Sequence, residues 1–379
     1  MAQKRKLFEE VGEASAPAVE TKTGMIDSGK RGARGAIRVW LMVLFALVTV
    51  RIVVGGLTRL TDSGLSITEW KPISGALPPM SADAWEAEFE LYKQIPEYQL
   101  QNNGMTLGEF KSIYWWEWGH RQLGRVIGLV WAIGFFGFLA ARQIPVGWTK
   151  RLLFVGILGG IQGAVGWWMV SSGLGAEMLD VASERLAIHL GIAVVILAYL
   201  TWFILLLSRE ERDLMQARRL RDKKLFTKGT GLMHFAFLQI ILGALAAGTD
   251  AGTVGNDWPL MGGAFFPEGG WDLRPGWRNF VANPEFIQFI HRILAYILLA
   301  YGTLVWLRAR KSPNGDTRFR FNLVFAMLIM QAVLGILTVL YIAPMHLALA
   351  HQIGGILLWV LILRARFGAA YPKEQSVRG

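Results

Sequence analysis

Six histidines and no cysteine occur in this chain of 379 residues, and four of the six recur in matching surroundings. They are His120 in EWGHRQLG, His189 in RLAIHLG, His291 in FIHRILA and His351 in LAHQIGG. Two imidazoles closing on a flat macrocycle from opposite sides can hold a haem iron without any thiolate. A zinc site would need four converging ligands, and here two are on offer at a time. The plainer alternative for each ring is a satisfied polar side chain in an apolar helix. Ionisable groups at membrane depth are rare and usually functional, and four at matched positions favour haem iron. A second chemistry stands beside the first histidine. Glu117 precedes His120 by three residues, falls on the same helix face, and could pass protons to or from a reacting group. Its alternative is an exposed interfacial glutamate without chemistry.

Such residues need elements to carry them across from one another, and hydropathy supplies these elements. Hydrophobic residues make up 53% of the chain, and the mean hydropathy is +0.37. A bilayer-spanning helix needs about twenty apolar residues. Eight stretches qualify, at roughly 37–58, 120–141, 152–171, 186–207, 232–248, 287–307, 321–343 and 346–363. Many of the sixteen tryptophans fall near their ends, as in interfacial belts. With the N-terminus inside, the segments 1–38, 142–151, 208–228, 308–320 and 364–379 hold 28 of the 39 Lys and Arg. The outer loops 59–119, 172–185, 249–286 and 344–345 hold seven. That bias predicts an N-in, C-in chain and argues that the net charge of +11 serves topology, not nucleic acid.

The sequence is also written twice. GGLTRLTDSGLSITEWKPISGA (55–76) aligns with GALAAGTDAGTVGNDWPLMGGA (243–264) at an offset of 188. His120 pairs with His291 at 171, GGIQGAVG (159–166) with LIMQAVLG (328–335) at 169, and His189 with His351 at 162. Each half has four helices, an even number, so both halves sit the same way up as a parallel repeat. The expected fold is an all-α membrane protein of eight transmembrane helices in two pseudo-symmetric four-helix bundles. The expected division is a disordered cytoplasmic tail (1–36), an N-terminal bundle (37–207), a cytoplasmic linker (208–228), a C-terminal bundle (229–363) and a cytoplasmic tail (364–379). Within each bundle the histidines fall on the second and fourth helices, which stand diagonally across the core, near one leaflet.

The halves differ at one telling place. The repeat counterpart of Glu117 is Gln288, the same size without the acid. The first half is therefore expected to do chemistry, and the second to hold a permanent haem that moves electrons. Arg121 and Arg292 follow their histidines directly, and with Arg51 they are candidate partners for haem propionates. Arg51 could equally snorkel to the outer interface. Gln162, Gln239 and Gln331 lie in small-residue contexts that suit a polar side chain bonding across a close helix contact. His234 and His346 have no such repeat partners and read as interfacial.

GGLTRLTDSGLSITEWKPISGALPP, EWGHR, RLAIHLG, FIHRILA and LAHQIGG resemble the heme A synthase family in its longer proteobacterial and mitochondrial form, over about 37–363. The resemblance implies oxidation of the C8 methyl of haem O to a formyl group by successive hydroxylations, giving haem A for terminal oxidases. It further implies that His291 and His351 hold haem b, that His120 and His189 belong to the haem O/haem A site, and that the acid at Glu117 is essential. Some members carry a cysteine pair in the first outer loop. This chain has none, so no step can rest on those thiols. Electron removal with water as nucleophile, and Glu117 taking protons, is the favoured route over oxygen activation at a doubly ligated iron. The partners expected are haem O, a haem O synthase supplying it, an electron-exchange protein, the lipid bilayer and a second copy of the chain. The location implied is the bacterial inner membrane, with the histidines towards the periplasm. Two other readings remain: a di-haem b cytochrome that only relays electrons, and a transporter built on a parallel repeat.

Overall fold

The computed structural model describes residues 33–175 and 178–373. Among them, eight helices are long and apolar enough to cross a membrane. They are α1 (Arg34–Leu60), α2 (Leu107–Ala140), α3 (Thr149–Gly173), α4 (Ser183–Leu207), α5 (Lys223–Gly248), α6 (Pro284–Ala309), α7 (Gly315–Leu340) and α8 (Met345–Ala370). In hydrocarbon, only structures that satisfy every backbone group internally can span, so these runs become helices and no strand is present among the described residues. The 1–36 tail lies almost wholly outside the described residues. Residues 364–370, expected as tail, continue α8.

The largest departure from expectation is α2, which begins at Leu107 instead of near 120. The cause is a capping box: the Thr106 hydroxyl accepts from Glu109 N, and Glu109 Oε2 accepts from Thr106 N at 2.8 Å. The additional turns carry WWEW, so Glu117 and His120 sit well inside a helix and not at its mouth. Other starts follow ordinary capping chemistry, with Asp222 capping α5, Asn283 before Pro284 capping α6 and Asn314 capping α7.

Packing order is the same in both sets of four. Helix α1 touches α2 and α4, and α3 touches α2 and α4. Likewise α5 touches α6 and α8, and α7 touches α6 and α8. The sets meet where α4 packs on α5 and α8, and where α1 packs on α8. One apolar core runs through this junction, from Leu44, Leu197 and Leu200 to Leu232, Leu298, Trp359 and Ile362. Polar clamps reinforce it: Trp359 Nε1 donates to Val194 O at 3.1 Å, and Gln352 Nε2 donates to Ile52 O at 2.8 Å. At the C-terminal end of α1 Arg59 bridges to Asp250 at 2.7 Å, with Asp62 at 3.3 Å and Asp180 at 3.7 Å. Asp62 and Asp250 occupy matched positions and both adopt left-handed φ, 47° and 49°. Asp tolerates that region better than most side chains, and the repeated TD turn depends on it.

The long connection between α1 and α2 is built around its own aromatic core. Helices Ala82–Tyr92 and Pro96–Leu100 fold onto the start of α2, burying Phe89, Tyr92, Ile95, Phe110 and Tyr114. Phe89 stacks on Phe110 at 4.9 Å.

Candidate haem sites and the acid beside one of them

Each of the four histidine rings lies against a glycine of a neighbouring helix. A Cβ at Gly55 on α1 would stand 2.8 Å from His120 Cε1, and one at Gly166 on α3 would stand 2.8 Å from His189 Cε1. In the other set, Gly243 on α5 gives 3.3 Å to His291 Cε1, and Gly335 on α7 gives 3.2 Å to His351 Cε1. All four glycines therefore form slots that a methyl group would crowd. Four residues before each glycine, on the same face, comes a long polar side chain: Arg51, Gln162, Gln239 and Gln331. Gln162 Nε2 lies 3.1 and 3.2 Å from the two ring nitrogens of His189 and donates to its carbonyl at 3.0 Å. Gln239 Nε2 repeats the arrangement on His291 at 3.1 and 3.2 Å, and Gln331 Nε2 donates to His351 O at 3.0 Å. The glutamines do bond across close helix contacts, as their context suggests, but their partners are the histidines themselves. The spacing of Arg51 to Gly55, Gln162 to Gly166, Gln239 to Gly243 and Gln331 to Gly335 is visible in the chain but was not singled out in the sequence.

In the second set, the His291 and His351 rings lie 6.4 Å apart between centres, with planes at 74°. His351 Nδ1 is buried without a hydrogen-bond partner, and so is His120 Nδ1 in the first set. A metal–imidazole bond is about 2 Å and the ring centre sits about 1 Å behind the nitrogen, so rings sharing one metal stand about 6 Å apart. In the second set the ring separation, the orphaned His351 Nδ1 and the glycine slots fit a bis-imidazole haem, and the first set shares the slots and an orphaned His120 Nδ1. His234 and His346 are exposed and belong to neither group.

Glu117 is buried, 4% exposed, and Arg121 Nε donates to its Oε1 at 2.6 Å. The interfacial alternative for this acid therefore does not hold. Arg121 also donates to the carbonyls of Glu69 and Ile67 at 2.9 and 2.7 Å, tying the α1–α2 connection to α2. Gln288, also 4% exposed, takes the same place beside Arg292, whose Nη2 donates to Gln288 Oε1 at 2.6 Å. Arg292 Nη1 donates to the carbonyls of Asp257 and Leu260 at 3.0 and 3.1 Å, and Asp257 is the repeat counterpart of Glu69. Each arginine thus fastens its loop through a matched carbonyl, Glu69 or Asp257, and through a second carbonyl that differs between the halves. Each also lines a surface cleft, Arg121 with Lys71 and Arg125, Arg292 with Phe265 and Tyr296. Arg51 does not snorkel outward: its guanidinium lies against Gly124 of α2, with Cζ and Nη1 2.9 Å from where a Cβ would be, and its Nε is buried without a partner.

The COX15-CtaA family, described as cytochrome oxidase assembly protein, matches residues 38–363. The chain belongs to this family. Among its relatives in the COX15-CtaA family is the protein named Heme A synthase of Ruegeria sp. strain TM1040, 62% identical over 99% of both chains. The Heme A synthase of Ruegeria pomeroyi is 62% identical over the full length of both, and that of Paracoccus denitrificans is 57% identical over 99% of each. The matched region begins at α1 and ends within α8, so it covers both histidine sets.

Proposed function

We propose that this protein is a heme A synthase: it oxidises the C8 methyl of haem O to a formyl group through successive hydroxylations. The observation that carries the reading is the buried Glu117 beside His120, at a position where the second set has Gln288. Relatives of the same length, at up to 62% identity, bear that name. His120 and His189, on diagonal helices, would hold the substrate haem. His291 and His351 would hold haem b, which when bound supplies a one-electron relay. We further assign the N-terminal four helices to substrate chemistry and the C-terminal four to the relay, in an inner membrane with the histidines towards the periplasm.

The chain's own residues then divide the work. The glycine slots seat the four rings, and Gln162, Gln239 and Gln331 orient them. Arg121 and Arg292 fasten the loops, and each lines a cleft at which a propionate carboxylate can be paired. Each two-electron oxidation of a C–H bond with water as the oxygen source releases two protons, and Glu117 is the buried carboxyl placed to accept them. Water lost from the hydrated aldehyde leaves the formyl group. The electrons pass to an exchange partner outside the chain, and a haem O synthase is the class of enzyme that must supply the substrate.

Pigment extracted from protein expressed with a haem O supply tests the reading. Haem O or haem A alongside haem b supports it, and haem b alone sinks it in favour of a relay. Glu117→Gln is expected to keep haem b and the fold while lowering haem A formation by about a hundredfold or more.

A further inference from the structure

Four helices, α1, α3, α5 and α7, present a long polar residue and then a glycine one turn later to a histidine. Three of the four long residues are glutamines that touch their histidine. The fourth is Arg51, whose repeat counterpart is Gln239, and it makes no hydrogen bond among the described residues. Its guanidinium packs against Gly124 on α2, the helix that carries Glu117 and His120, and Gly55, one turn further along α1, meets the His120 ring. The first set therefore differs from the second twice, by an arginine and by an acid. Arg121 does not account for the acid, because Arg292 makes the matching side-chain contact in the second set, to the neutral Gln288. Arg51 and Glu117 together add no net charge where the second set has the neutral Gln239 and Gln288.

We propose that Arg51 is a positioning residue for the reactive site: it is the counter-charge that accompanies Glu117, and the two act as one unit that the second half replaces with Gln239 and Gln288. This rests on the function proposed above. The physical ground is that an uncompensated charge at membrane depth is costly, and that removing one partner of a buried pair costs more than replacing both with neutral groups. An acid added to the site alone would change both its stability and the field felt by a bound macrocycle. An acid added with Arg51 leaves the net charge unaltered and gains a proton carrier.

The test compares Glu117→Gln, Arg51→Gln, the double Arg51→Gln/Glu117→Gln and Arg51→Lys in the full chain, expressed with a haem O supply. Thermal unfolding of the purified protein comes first: each single glutamine variant is expected to lower the midpoint, and the double variant to recover most of that loss. The midpoint potential of the first-site haem comes second. Losing a nearby cation favours the ferric state and losing an anion disfavours it, so the singles should shift the potential downwards and upwards respectively, and the double should cancel. Haem A should be absent in the three glutamine variants and retained in part by Arg51→Lys. Losses of stability that simply add in the double, potential shifts of the same sign, or haem A at the parental rate in Arg51→Gln would each overturn the proposal. Failure of the underlying function looks different: His120→Ala and His189→Ala would then keep a full complement of pigment, and the unfolding comparison, which needs no pigment, would still decide the role of Arg51.

Discussion

A glycine facing each imidazole is the finest feature of the two sites, and it makes separable predictions. At Gly166 a side chain would meet the His189 ring at 2.8 Å, and at Gly335 the His351 ring at 3.2 Å. Gly166→Val or Gly55→Val is therefore expected to displace a first-set ring, lowering retained haem O and haem A while leaving haem b. Gly335→Val or Gly243→Val should do the reverse. Haem extraction from each variant checks this, and equal loss of both pigments would contradict it. On the proposed ligand assignment, His291→Ala and His351→Ala should each abolish haem b with its low-spin spectrum, since removing one of two ligands would leave the iron half held. The four histidines, Glu117 and its neutral counterpart were all legible in the sequence, because a repeat exposes matched and mismatched polar positions directly. The inward aim of Arg51 was not. A single arginine in an apolar helix reads the same whether it faces lipid, interface or core, and only its contact with Gly124 separates these.

Between the residues and the bundle stands the long α1–α2 loop, which works as a small packed element. Its centre is Glu97 on the short helix Pro96–Leu100, only 3% exposed. Burial pushes its carboxyl up to about 8, with Asp180 and Asp62 adding to the rise, against the opposing hydrogen bond from Tyr92 Oη at 2.9 Å. The folded loop therefore binds a proton that the unfolded loop releases at a lower pH. Stability of this loop should be greatest near the ordinary glutamate range, fall as pH rises towards about 8, and level off above it. Limited proteolysis of residues 62–106 across pH measures the effect, and Glu97→Gln is expected to flatten it. An unchanged pH dependence in that variant would remove Glu97 as the cause. Element positions were mostly legible, since hydropathy locates spans well. The start of α2 was missed because an apolar window ignores caps, although Thr106 and Glu109 had the spacing of a capping box.

Across the protein as assembled, the two sets of four helices are joined through an apolar seam with few charged links, the chief one being Arg59 with Asp250. That bridge spans 191 residues of sequence and ends on an exposed carboxylate. Exposed pairs contribute about 1 kcal/mol or less, so Asp250→Asn should shift the unfolding midpoint only slightly and leave haem content intact. A large loss would show that the ion pair, and not the seam of Leu197, Leu200 and Trp359, holds the sets together. The expected topology with both termini inside, and the assignment of chemistry to the first set, follow from charge bias and from Glu117.

The number of spans, the duplication, the pairing of histidines and the single acid mismatch were all readable along the chain, because each is a local pattern of polarity compared with another local pattern. The slots at Gly55, Gly166, Gly243 and Gly335, the reach of the glutamines to the rings, the inward aim of Arg51 and the burial of Glu117 emerged only on folding. These depend on how helices rotate and approach one another, which packing of distant residues sets and no local pattern encodes.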